Sequence, residues 1–175
     1  MRISSLISGL GLIVSMLILG LGAGCGKEIG DACNFSTDCS PNGDRQCETS
    51  SKEGYCTVAG CDFDTCPEEA VCVRFFSGGF ANKLCDHLLE DVEGAGDDRC
   101  SFDEVCSITD TCVSRSSETR YCMRKCDSDG DCRDGYECRT FGQMQDHGGE
   151  PVLRFGEKLT EQNAQKFCAT APGDQ

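Results

Sequence analysis

The stretch Cys126-Asp127-Ser128-Asp129-Gly130-Asp131-Cys132-Arg133-Asp134-Gly135-Tyr136-Glu137-Cys138-Arg139 spaces its cysteines as C-x5-C-x5-C. The stretch Cys61-Asp62-Phe63-Asp64-Thr65-Cys66-Pro67-Glu68-Glu69-Ala70-Val71-Cys72-Val73 repeats that text with one residue fewer before the middle Cys. Working outward, the cysteines after position 25 fall into four sets of four: Cys33, Cys39, Cys47 and Cys56; Cys61, Cys66, Cys72 and Cys85; Cys100, Cys106, Cys112 and Cys122; Cys126, Cys132, Cys138 and Cys168. The shared rule is C-x(4,5)-C-x(5,7)-C, a variable gap, then C, with unit starts 28, 39 and 26 residues apart. A period in that range marks a tandem array.

Composition agrees that cysteine holds the fold. The chain has 175 residues, 17 of them Cys, and no Trp. Without the first 24 residues, the remaining 151 contain only 23 Leu, Ile, Val and Phe. That fraction by itself reads as disorder, so bridges must replace an oil-like core, and a large α/β enzyme is excluded. With 16 basic and 30 acidic residues the net charge is −14, and removal of Arg2 with the leader makes it −15. Such a chain repels phosphate backbones, so no nucleic-acid partner is expected.

Residues 1–24 carry one charge at Arg2, an apolar run from Leu6 to Leu19, and then small residues, the three-part pattern of an export signal. The segment Leu21-Gly22-Ala23-Gly24-Cys25 that follows resembles a bacterial lipobox, although Gly22 stands where such families usually have Leu. The resemblance implies a lipidated Cys25, palmitate-type acylation, and membrane attachment through that anchor. An ordinary cleaved signal, or a retained span over about residues 3–23, are the alternatives. Parity favours the lipid: 17 Cys cannot all pair, and assigning Cys25 to an anchor leaves 16. Gly26 in place of Asp after that Cys implies, by the enterobacterial sorting rule, the outer membrane or cell surface.

Local chemistry repeats with the cysteines. An acidic residue precedes each second Cys by one or two places, at Asp38, Asp64, Glu104 and Asp131; the short Asp side chains there suit the capping of a tight turn. The third Cys of each unit lies in strand-like text, clearest at Val71 to Phe75 and at Thr111 to Val113, and Asp134-Gly135 signals a hairpin turn. The units resemble EGF-like and Dickkopf-type cysteine-rich modules, and more closely the cysteine-rich lipoproteins of delta-proteobacteria. A genuine EGF module has six Cys where these units have four. Four closed units allow 81 frameworks, three pairings in each; first-to-third and second-to-fourth is the pairing expected.

The fold class expected is small and disulfide-rich, with tandem short β-hairpin modules, one or two short helical arms and little regular secondary structure. Its parts are a signal peptide (1–24), a lipidated N-terminus and tether (25–32), modules at 33–56, 61–85, 100–122 and 126–168, and a tail (169–175). Two insertions depart from the repeat: Leu84, Cys85, Leu88, Leu89 and Val92 at helical spacing behind an Asn82 cap, and Ala164, Phe167 and Cys168 behind Thr160. Residues 94–98 and 142–149 read as flexible loops.

Candidate chemistry is sparse. Neither the C-x2-C knuckle of structural zinc nor the C-x-x-C redox motif occurs. Asp127, Asp129 and Asp131 alternate like the first ligands of a calcium loop, but Cys132 and Cys138 stand where an EF-hand needs Gly and a bidentate Glu. His87 and His147 read as surface residues, no Ser has a G-x-S-x-G setting, and neither enzyme activity nor a cofactor is expected. Arg74, Phe75, Phe76 and Phe80 form a candidate contact loop for an unidentified protein or glycan ligand. The function expected is that of a non-enzymatic, membrane-anchored binding or structural module of the cell envelope. A disulfide-stapled protease inhibitor and a calcium-dependent adhesion module are the alternatives.

Overall fold

The computed structural model describes residues 26–77, 83–93 and 99–172. Within them run α1 (Ser36–Cys39), β1 (Gln46–Glu48), β2 (Tyr55–Thr57), β3 (Ala70–Phe76), β4 (Glu104–Cys106), β5 (Cys112–Ser114), β6 (Glu118–Arg124), β7 (Tyr136–Arg139), α2 (Phe141–His147), β8 (Glu150–Pro151) and β9 (Phe167–Thr170). The sheets are β1-β2, β4-β5, β7-β9 and the central β6-β3-β8, with antiparallel pairing throughout. The protein is thus a small disulfide-rich fold of short hairpins with little regular structure.

Each two-strand pairing sets two half-cystines directly opposite one another: Cys47 and Cys56, Cys72 and Cys122, Cys106 and Cys112, Cys138 and Cys168. None of these facing pairs is bonded to itself. Each partner instead bridges to a Cys earlier in the chain or outside the hairpin, with Cα–Cα distances inside the range a bridge tolerates. The bonds are Cys33–Cys47, Cys39–Cys56, Cys61–Cys72, Cys66–Cys122, Cys85–Cys106, Cys100–Cys112, Cys126–Cys138 and Cys132–Cys168.

First-to-third pairing therefore holds in all four units, and second-to-fourth in the first and last. The middle two depart from the expectation of closed units: Cys66 takes Cys122, and Cys106 takes Cys85. The reason is β3 against β6, a seven-residue antiparallel pairing that sets Cys122 beside Cys72 and leaves residues 77–117 as an insertion between its strands. Counted in this nested order, 61/66/72/122 around 85/100/106/112, every set again pairs first to third and second to fourth. The ranges 61–85 and 100–122 are one interlocked body.

Apolar packing follows the same plan. The main core gathers Ile29, Tyr55, Val73, Ile108, Met144 and Phe167 from every part of the described chain, together with Cys61, Cys72 and Cys122, while the other three bridge sets form separate small clusters. Tyr55 stacks on Tyr136 with ring centroids 5.5 Å apart, and Phe75 meets Phe167 edge-on at 6.3 Å. The Tyr55 hydroxyl accepts from Arg124 N–H at 2.9 Å and donates to the Cys168 carbonyl, tying β2 to β6 and β9. Gly149 sits at φ +80°, and a Cβ there would meet Phe75 at 2.8 Å and Phe167 at 3.0 Å, so only glycine lets the chain enter β8 over these rings.

The helices are not where the hydrophobic spacing placed them. Residues 83–93 form turns rather than a helical arm, with Leu84 in an isolated bridge to Thr111, and the expected Asn82 cap lies outside the described residues. Thr160 opens a single turn closed by Asn163, after which Phe167 and Cys168 enter β9. Residues 94–98 also lie outside the described residues. The 142–149 stretch, expected as a loop, is mostly α2: Thr140 caps it by accepting from Gln143 N–H, Gln143 Oε1 accepts from Thr140 N–H, and Met144 anchors it in the core. The buried Arg139 guanidinium donates to the carbonyls of His147, Gly148 and Thr170, closing the C-terminal end of α2 onto β9. Gly content outweighed periodicity in reading this segment; the cap and one buried Met decide it. Among the described residues no helix is long and apolar enough to cross a membrane.

Candidate functional site

Among the described residues a groove of about 1020 Å³ is shared by the interlocked middle units and the segment from β8 onward. One wall is the Asp62–Thr65 turn, held by Thr65 Oγ1 accepting from Asp62 N–H at 2.8 Å. His87, residues 90–93 and residues 150–159 also line it.

Charge inside the groove is matched locally. Arg74 pairs with Glu150 at 3.0 Å, and the buried Glu150 carboxylate uses its other oxygen to accept from Ile108 N–H at 3.1 Å. Arg120 is shared between Asp62 and Glu118. Arg154 lies over the Phe63 ring at 5.1 Å, a cation–π contact, and has no carboxylate partner among the described residues. Phe155 follows at the tip of a turn closed by Glu157 N–H on the Arg154 carbonyl at 3.0 Å, with Gly156 at φ +86°. The Phe155 side chain is fully exposed, at 107%.

His87 is not a surface residue: its side chain is 12% exposed and its Nδ1 meets Asp110 Oδ1 at 2.7 Å. His147, at the C-terminal end of α2, meets Glu137 of β7 with Nδ1 to Oε1 at 2.7 Å. Among the described residues neither imidazole hydrogen-bonds to a Ser, Thr or Cys; each Nδ1 is spent on a carboxylate.

The contact loop read from the sequence is divided. Arg74, Phe75 and Phe76 lie inside β3, hydrogen-bonded on the β6 side, with Arg74 over the Phe76 ring at 5.5 Å and Phe75 packed on the core; they are not a loop tip. Phe80 and Cys25 fall outside the described residues.

The acidic residues before the second cysteines act locally, as their spacing suggests. Asp38 Oδ2 accepts from Asn34 and Phe35 N–H at 2.9 and 3.0 Å, and Asp131 Oδ2 from Asp127 and Ser128 N–H, both at 2.9 Å. These donors hold both carboxyls below the ordinary Asp value, and Ser101 N–H does the same for Glu104. In the second unit Thr65 takes the role expected of Asp64, which instead occupies a left-handed turn position at φ +57°. Asp129 Oδ1 accepts from Cys138 N–H at 2.8 Å. Of the calcium candidates, then, Asp129 and Asp131 each spend an oxygen on the backbone, and only Asp127 presents a carboxylate without such a donor.

Sequence reading missed Phe63, Arg154 and Phe155. The signal available was Val152-Leu153-Arg154-Phe155-Gly156, an apolar run ending in a turn residue within an otherwise polar stretch. Compared with known proteins, the chain matches no family model, no curated protein and no solved structure.

Proposed function

We propose that the protein is a non-enzymatic binding module of the bacterial cell envelope, exported behind residues 1–24 and anchored by lipid at Cys25 to the outer membrane or cell surface. Its groove contacts another protein or a glycan. The observation that carries the binding role is the Arg154–Phe155 turn: an aromatic ring free of packing stands beside a stacked arginine on a frame braced by eight bridges. Aromatic and Arg side chains dominate interface energies, and a rigid frame lowers the entropy lost on binding. The anchor is supported by the leader pattern and by parity, since the 16 cysteines of the described residues pair among themselves and Cys25 is the seventeenth.

Proximity labelling in a Gram-negative host, with the wild type and an Arg154→Glu/Phe155→Ser variant, tests this. The wild type should enrich neighbours that the variant loses while its bridges stay intact. An unchanged set of neighbours refutes the groove as the contact site. The same turn favours one second reading, a protease inhibitor presenting Arg154 and Phe155 as an exposed tip. Inhibition within a protease panel that disappears in Phe155→Ser would replace the first reading with the second.

A further inference from the structure

Residues 26–32, expected as a tether, are built into the body. Ile29 is 0% exposed in the main core, Gly30 N–H donates to the Cys56 carbonyl at 2.9 Å, and Glu28 N–H donates to Asp31 at 2.9 Å. Arg45 grips the Lys27 carbonyl, and Lys27 Nζ reaches the Ala32 carbonyl at 2.6 Å. Gly26 lies so close to α1 that a Cβ on it would come within 2.9 Å of the Cys39 carbonyl. No free linker therefore separates position 25 from the first unit.

Past the charged residues Lys27, Glu28 and Asp31 the chain turns poor in charge. From Ala32 to Gly43, 12 residues of a chain that is 26% charged, the single charged residue is Asp38. Its carboxylate is turned onto the backbone N–H groups of Asn34 and Phe35. Phe35 itself is 70% exposed at the start of α1, about 6 Å along the helix axis from Cys39 at four residues' rise. A charge-poor stretch with an exposed Phe ring, beside the attachment point of a strongly acidic protein, suits a lipid surface, where apolar side chains such as Phe sink into the boundary between headgroups and acyl chains.

We propose that the first unit seats directly on the bilayer that holds the anchor, with Phe35 in the interface and the acidic remainder held off it by its own charge. The seating rests on the lipid anchor at Cys25 proposed above. The partner is the lipid surface itself.

The chain has no Trp, so a Phe35→Trp substitution supplies a lone reporter. Membrane-extracted protein is first weighed intact for acyl mass on Cys25 and full pairing of the other cysteines. It is then reconstituted into vesicles of phosphatidylethanolamine and phosphatidylglycerol with brominated acyl chains. Phe35→Trp should show blue-shifted emission and quenching several-fold stronger than a Phe102→Trp reporter on the nested unit. A flexible insert of about ten Gly and Ser residues between Cys25 and Gly26 should abolish the difference. An acylated chain with water-like Phe35→Trp emission, or with equal quenching at both positions, overturns the seating and leaves the anchor standing. A chain without acyl mass overturns the anchor and the seating with it.

Discussion

Replacing Cys66 and Cys122 together by Ala removes the bridge that locks the nested unit between β3 and β6. The two are separated by 56 residues, and the Cys85–Cys106 bridge shortcuts 21 of them. The effective loop is then about 35 residues, and the chain-entropy relation gives about 4 kcal/mol at room temperature for closing it. For a chain of this length that corresponds to a fall in Tm of roughly 8–16 °C. Thiol counting under denaturing, non-reducing conditions supplies the decisive readout. Cys66→Ala/Cys122→Ala should expose no free thiol among residues 26–175, because it removes a bonded pair. Cys66→Ala/Cys85→Ala should expose two, Cys106 and Cys122. The opposite result, two thiols in the first variant and none in the second, would mean that the middle units close on themselves and would refute the nesting. Tm in the first variant within a degree or two of wild type would refute the loop argument even if the thiol counts hold.

Tyr55→Phe leaves the part-buried Arg124 N–H without its acceptor, an expected loss of about 1 kcal/mol in denaturant unfolding. Burial raises the Tyr55 phenol above its ordinary value. The stability linked to its neutral form is therefore complete below about pH 10 and lost as pH climbs further, and Tyr55→Phe should flatten that alkaline limb of a Tm profile. Asp131 is depressed by the Asp127 and Ser128 N–H donors, so its contribution is present above the ordinary Asp value and disappears as pH falls through the lowered one. Asp131→Asn should reduce the Tm difference between neutral pH and about pH 2, and an unchanged acid limb would discount the cap. Millimolar calcium should leave Tm unaltered, since Asp129 and Asp131 already hold Cys138, Asp127 and Ser128 N–H groups; a rise abolished by Asp129→Ala would establish a site.

The candidate site was poorly legible. Phe75 and Phe76 stand out in the sequence as an aromatic pair before a Gly-rich stretch, yet they belong to β3, while the ring exposed at the groove is Phe155. Local text cannot separate an aromatic that packs from one that protrudes, because the choice depends on whether Phe167 or water lies across from it. His87 gives the same lesson: its partner Asp110 lies 23 residues on within the same nested unit, and only the fold brings them together. Helix reading failed for a related reason. The apolar spacing around Leu84 to Val92 promised a packed face, but Cys85 is drawn into its bridge with Cys106 and the chain there remains in turns.

Sequence alone determined the features that depend on neighbours along the chain. Cysteine density and the poverty of large apolar residues required a bridged fold. The spacing of each C-x(4,5)-C-x(5,7)-C run favoured first-to-third bridges without excluding the other pairings, and the Asp before the second Cys of the first and last units was legible as a local turn cap. The tertiary structure decided the fourth partner. Nothing in the intervals distinguishes Cys85 from Cys122 as the mate of Cys66, and the 81 closed frameworks do not include the observed one. The choice is made by the β3–β6 register, in which side chains from Ala70 to Phe76 find their packing against Glu118 to Arg124, setting Cys122 opposite Cys72 and within reach of Cys66. Strand pairing across a long insertion depends on which surfaces bury one another, and that is a property of the folded chain as a whole.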